Sequence, residues 1–230
     1  MSAMIGHCGL LLGAAAPVDP YWAQVKSLLI FDNGLVDAKD GTLWTTHLGS
    51  PAVEASTGWG GDQALRLHNA TTDRIRRPLV QAANVPLTLE AWFYPFSVVT
   101  AGYYNGLFFV DDGTNTRGVS MTNGSGVTGK LGIINNQNQG VIDAGTFTIQ
   151  QKIHAALIYD GNGLWKYYLN GNLLDAANQT GSIGTTQAFI GHSNTSWSDS
   201  TDAEFRAFRA TAAVRYTGNF TPPPVPWPTA

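Results

Sequence analysis

The sequence predicts an all-β protein folded as a two-sheet antiparallel β-sandwich with an extended N-terminal arm. Three observations carry this reading. Many short apolar or alternating runs are separated by Gly, Asn and Asp turns. Leu87–Tyr94 alternates strictly, with Leu87, Leu89, Ala91 and Phe93 on one face and Thr88, Glu90, Trp92 and Tyr94 on the other. No segment sustains the 3.6-residue period of an amphipathic helix.

In chain order, residues 1–19 read as an arm whose apolar part is Leu10, Leu11 and Leu12. The domain opens at Asp19-Pro20-Tyr21-Trp22, and Ser27–Phe31 is a short apolar run expected to be a buried strand. Gln63–Leu67 alternates, and Pro95 ends the strong strand that starts at Leu87. Leu107–Val110, Gly118–Thr122 and Leu131–Ile134 follow as short strands. Ile153–Tyr159 and Leu164–Leu169 flank Asp160-Gly161-Asn162-Gly163, a hairpin turn with residues suited to positive φ. Asn170-Gly171 turns the chain again into Asn172–Leu174, making a meander. Gln187–Gly191 and Ala203–Ala210 are further strands, the second expected at the domain edge. Thr221–Pro228 holds five of the 11 prolines and is expected to run extended along the surface. The division is therefore an arm at 1–19, one sandwich at 20–220 and a Pro-rich tail at 221–230.

Composition narrows the function. The 230 residues are 43% hydrophobic, enough for a sizeable core in one domain. A net charge of −3 with no basic run argues against a nucleic-acid partner. The densest basic cluster, Arg74, Arg76 and Arg77, reads as a solvated strand edge. Cys8 is the only cysteine, so the fold needs no disulfide, and folding in a cytoplasm is the simplest expectation. No apolar run approaches the roughly 20 residues of a membrane span.

Four segments resemble the laminin-G, concanavalin A-like lectin/glucanase superfamily: SLLIFDNGLVDAKDG at 27–41, LTLEAWFYP at 87–95, IHAALIYDGNGLWKYYLNG at 153–171 and QAFIGHS at 187–193. The resemblance implies a jelly-roll sandwich. The ends, DPYWAQVKSLLIFD and EFRAFRATAAVRYTGNFTPPPVPWP, resemble a version of the domain found in tailed-phage virion proteins, with Arg215, Tyr216, Asn219, Phe220 and Pro222 as the closing residues. That implies a non-enzymatic virion component: a capsid decoration or a tail or fibre accessory. It would fold in the host cytoplasm and join other virion chains, self-association included.

Glycosidases of the superfamily resemble one another in a Glu-x-Asp-x-x-Glu-type strand, whose two carboxylates act as nucleophile or base and as acid. Here the glutamates are Glu54, Glu90 and Glu204, and only Glu204 has an acid nearby, Asp202. That pair is expected at the surface, and the chain is expected not to be an enzyme. Gly124–Gly129 satisfies G-x-G-x-x-G but leads into a strand, so it reads as a hairpin loop. The histidines lack metal-ligand spacing. Asp111, Asp112 and Asn115 form the best calcium cluster and equally an Asp/Gly hairpin turn, the preferred reading. No other cofactor is implied.

Glycan binding for host adhesion is the alternative function. It would use aromatic faces against sugar C–H surfaces and polar side chains against hydroxyls. The loop candidates are Trp44, Trp59, Tyr103, Tyr104, Asn105, Asn194 and Trp197. Packing beneath loops, or burial in a protein interface, is the competing role for each.

Overall fold

The structure, a computed structural model, describes residues 19–68, 72–97, 104–125, 128–135, 138–175, 184–191 and 201–227. The described residues form an antiparallel sandwich of fifteen strands: β1 (Val25–Leu29), β2 (Thr45–Leu48), β3 (Ala52–Ala55), β4 (Gln63–Leu67), β5 (Arg74–Gln81), β6 (Leu87–Pro95), β7 (Tyr104–Asp111), β8 (Thr116–Ser125), β9 (Thr128–Asn135), β10 (Asn138–Thr148), β11 (Ile153–Tyr159), β12 (Trp165–Leu169), β13 (Asn172–Asp175), β14 (Thr185–Gly191) and β15 (Ala203–Thr211). The first sheet runs β13-β12-β11-β6-β15-β4-β3, with β1 also paired to β15; the second runs β10-β9-β8-β7-β14-β5-β2. The arm's leucines, Leu10, Leu11 and Leu12, lie outside the described residues.

The alternation predicted for β6 sets the core. Leu87, Leu89, Ala91 and Phe93 face the second sheet and pack with Leu107, Phe108, Val110, Val119, Met121 and Ile190. Burying such side chains contributes about 1.5–3 kcal/mol each before the entropy of ordering is counted.

Ala203–Ala210, expected at the domain edge, instead lies in β15 at the centre of the first sheet. β6 pairs along its whole length on one side, while β4 takes its start and β1 its end on the other. All nine residues of β15 are buried, because the outward face is covered too. The cover is the chain's own closing segment. Phe220 N–H donates to the Gly171 carbonyl, and a Cβ at Gly171 would collide with the Phe220 carbonyl, so only glycine lets the tail cross this turn. Tyr216 and Phe220 stack on each other over Tyr168 and Ile158. Trp227, expected on a surface-running tail, is buried against Val25, Leu28 and Ala207. The Trp92 indole donates to the Pro223 carbonyl at 2.9 Å.

Beneath that cover lies a buried ionic network. Glu90 is fully buried. Its carboxylate accepts from Arg209 Nε and the Tyr216 hydroxyl, each at 2.9 Å, meets His154 Nε2 at 3.1 Å and forms an ion pair with Arg215 Nε at 3.1 Å. Asp19, at the domain's start, bonds Arg209 Nη1 at 2.8 Å and Arg215 Nη1 at 3.0 Å. The guanidinium of Arg209 lies over Trp227 and that of Arg215 over Tyr21. Burial alone would raise the pKa of Glu90; Arg209, His154 and Arg215 outweigh it and hold the carboxyl far below the usual carboxylate range.

Because the folded-state pKa of Glu90 is depressed, its stabilisation is fully present above the unfolded value of about 4.3 and is lost as pH falls below it. Glu90→Gln leaves the two arginines facing Asp19 alone. It is expected to cost about 3–5 kcal/mol at pH 7 and to flatten the loss of stability in acid. Urea unfolding at pH 7 and pH 3.5 checks both; equal midpoints for the two proteins at pH 7 would contradict the network's role.

Candidate functional site

The first sheet's outward face is taken up by the closing segment; the register of the second sheet defines its outward face. Thr45 pairs with Arg76, Arg76 with Phe189, Phe189 with Phe109, Phe109 with Gly118 and Gly118 with Ile134. Directly opposed residues share a face, so these six form one row across six strands. The inward neighbours Ile75, Val110, Val119 and Ile190 belong to the inter-sheet core. One step along, Pro78, Gln187 and Asp111 form a second row on the same face.

The floor of this face is apolar. Phe109 and Phe189 stack at 4.5 Å with planes 7° apart, and Ile134 completes the cluster. Gly118 permits the packing, since a Cβ there would overlap the Phe109 side chain and the Phe108 carbonyl. His47 meets Phe189 edge-on, and the Arg74 guanidinium sits 5.0 Å from the same ring. Arg74 donates to His47 Nδ1 at 3.0 Å from Nε. Burial, with Arg76 nearby, brings the Arg74 pKa down to about 10 against the pull of Asp111. Burial and then Arg74 and Arg76 also lower that of His47. Asp111 is pushed up by burial, against Arg74 and Arg76 and a hydrogen bond from Gly113 N–H.

Beside this floor, Thr45, Arg76, Arg77, Pro78 and Gln187 line a groove of about 300 Å³, within the range of small-molecule sites. Arg76 donates to Gln187 Oε1 at 3.4 Å. Arg77 points inward, bonding Asp37 and, at 2.9 Å, Asp40. The basic cluster expected at a solvated edge is thus divided by strand alternation: Arg74 and Arg77 are buried and Arg76 is half-buried.

The glycan candidates do not gather here. Trp44 is 0% exposed, its ring edge-on to Phe208 and its indole N–H donated to Asp37 at 3.2 Å, so it anchors the Asp37–Gly41 turn. Trp59 is buried, with Lys152 over its ring and Trp92 against its edge. Asn105 is buried within β7. These three are corrected from loop ligands to packing residues, because each is closed off from solvent. Tyr104 pairs with Thr122 at the start of β7; its side chain, and Tyr103, Asn194 and Trp197, lie outside the described residues. Asp112 accepts the N–H groups of Thr114 and Asn115 at 2.8 and 2.6 Å and the Asn115 amide at 3.2 Å. The Asp111–Asn115 cluster therefore has the geometry of a hairpin turn, and among the described residues no group of three His, Cys, Asp or Glu could hold a metal.

The expected surface pair is also corrected. Glu204 is 2% exposed and holds the 56–59 turn, accepting the Ser56 hydroxyl and the Thr57 and Gly58 N–H groups at 3.2 and 3.1 Å. Asp202 pairs with Arg66 at 2.7 Å and accepts the Ser97 hydroxyl at 2.8 Å.

The fold and its surface define a lectin-like β-sandwich. The laminin-G-type family model described as the concanavalin A-like lectin/glucanases superfamily matches residues 60–214, and the chain belongs to that superfamily. Among solved structures, domain 4 of AbnA, a GH43 extracellular arabinanase from Geobacillus stearothermophilus, in complex with arabinotriose, is similar with a TM-score of 0.61 and 18% identity. The match covers 83% of this chain and 93% of that one. The receptor-binding domain of the botulinum neurotoxin C/D mosaic serotype is similar with a TM-score of 0.58 and 13% identity, over 85% of this chain and 49% of that one. The botulinum neurotoxin serotype G binding domain gives 0.58 and 13%, over 84% and 48%. No curated protein sequence matches.

Proposed function

We propose that the chain is a non-enzymatic, lectin-like module that binds carbohydrate on the outward face of the second sheet, and that it does so as a surface component of a tailed-phage virion. The observation that carries the binding reading is the groove beside β2, β5 and β14. There the hydroxyl of Thr45, the guanidinium of Arg76 and the amide of Gln187 converge beside the exposed ring of Pro78. Sugars need this combination: donors and acceptors for hydroxyls, with a small apolar surface, here Pro78, beside them. The similarity to an arabinanase domain in complex with arabinotriose supports the ligand class, although a fold alone does not choose a function.

The glutamates support the absence of catalysis. Glu90 and Glu204 are buried and occupied by structural partners, and Glu54 stands exposed on the short strand β3. A pair of carboxylates flanking an open cleft, which glycoside hydrolysis requires, is not found among the described residues.

The virion setting rests on the resemblance of the two ends to phage-type domains. It is supported by the way those ends close on each other, since Asp19, where the arm meets the domain, is bonded to Arg209 and Arg215.

Calorimetric titration with arabinotriose and a panel of oligosaccharides is expected to find binding without release of reducing ends. Gln187→Ala should weaken it about fivefold, the equivalent of one hydrogen bond of about 1 kcal/mol, with the melting temperature unchanged. Absence of binding across the panel would overturn the carbohydrate reading. For the virion setting, a chain starting at Asp19 is expected to remain folded but to fail to join particles that incorporate the full chain. Normal incorporation would overturn the arm's role.

A further inference from the structure

The chemistry of the groove points beyond carbohydrate in general. Arg76 lies mid-strand on β5, between Thr45 on β2 and Phe189 on β14. Five other arginines each meet at least one carboxylate: Arg66 meets Asp202, Arg77 meets Asp37 and Asp40, Arg206 meets Asp32, and Arg209 and Arg215 meet Asp19 and Glu90. Arg76 has no ion pair within 4 Å among the described residues. It makes one long hydrogen bond, 3.4 Å to Gln187 Oε1, and its remaining N–H groups meet no acceptor among the described residues.

Its surroundings add to the demand for an anion. Arg74 and His47 occupy the same face, and Arg76 disfavours the charged form of both. Among the described residues the opposing charge on this face includes Asp111, whose carboxylate is partly taken up by its own turn through Gly113 N–H. Desolvation by the Phe109–Phe189–Ile134 floor strengthens any charge pairing made above it. A guanidinium presents a planar fork of donors that matches a carboxylate or sulfate bidentately. Thr45 and Gln187 stand beside it for neighbouring hydroxyls.

We propose that the groove selects an acidic saccharide, one carrying a carboxylate or sulfate group, and that Arg76 holds the anion while Thr45 and Gln187 hold adjacent hydroxyls. This rests on the carbohydrate reading above and narrows its ligand class. The two sources of negative charge, a uronic-type carboxylate and a sulfate ester, present the same bidentate oxygens.

The test is a calorimetric titration of the full chain with three oligosaccharides sharing one backbone: neutral, glucuronate-bearing and sulfated. The expected result is about tenfold tighter binding of at least one acidic form than of the neutral one, weakening as salt is raised. Whichever acidic form binds more tightly identifies the anion. Arg76→Gln should remove the preference with the melting temperature unchanged, and Arg76→Lys should keep part of it. Gln187→Glu, which sets a carboxylate against Arg76, should also abolish the preference and serves if Arg76→Gln does not fold. Equal binding of neutral and acidic forms overturns this inference and leaves the carbohydrate reading standing. Binding of none of the three, together with a silent neutral panel, overturns both. An acidic preference that survives both Arg76→Gln and Gln187→Glu places the anion elsewhere and overturns the role given to Arg76.

Discussion

The fold closes around one carboxylate. Glu90 lies mid-strand on β6, on the face turned away from the inter-sheet core, where an unpaired charge would be tolerated only if water reached it. Water does not reach it, because the closing segment lies across that face. Two guanidiniums and a second carboxylate, Asp19, balance the charge, and His154 and Tyr216 fill the remaining hydrogen-bonding directions on Glu90. Such an arrangement adds less to net stability than its close contacts suggest, since each ion surrenders its hydration. Its larger effect is on specificity: removing any member strands the others, so the domain's first residues, a central strand pair and the closing residues must dock together.

That docking makes the two outer faces unequal. On the first sheet, Arg209 and Arg215 stack against Trp227 and Tyr21, and Trp92 is tied to Pro223. Tyr216, its phenol pushed upward by burial and by Glu90, stays protonated and donating. This face is spent on holding the chain together. The second sheet keeps Thr45, Arg76 and Gln187 at a groove, and Arg76 is matched to no carboxylate among the described residues. One face is thus sealed by the chain's own closing segment, and the other carries a polar groove beside a buried aromatic cluster.

Much of the fold was legible in the sequence because strands with one buried face announce it by alternation. Leu87–Tyr94 and the Ile153–Leu169 hairpin were placed by pattern and turn residues alone. Alternation says which residues share a face, however, and not what covers that face. β15 reads from sequence as an edge strand with Glu204 at the surface; Glu204, Arg206 and Arg209 are instead each buried against a partner far away in sequence. Trp44 and Trp59 suggested sugar ligands for the same reason, since a loop position says nothing of whether Asp37 or Lys152 occupies the ring's surroundings. The groove was invisible for a different reason. Thr45, Arg76 and Gln187 come from three strands distant along the chain and meet only through sheet register. The one available signal was Arg76 flanked by inward Ile75 and Arg77, and it became readable once β5 was known to lie within a sheet.

The central claim, that binding belongs to the outward face of the second sheet, is tested most directly by following backbone amide NMR resonances while oligosaccharide is added. The account predicts that the largest shifts cluster on β2, β5 and β14 around Thr45, Arg76 and Gln187, with the amides around Glu90 and Trp92 unmoved. Shifts centred instead on Trp92, Tyr94 and the closing segment would contradict it and move the binding surface to the first sheet.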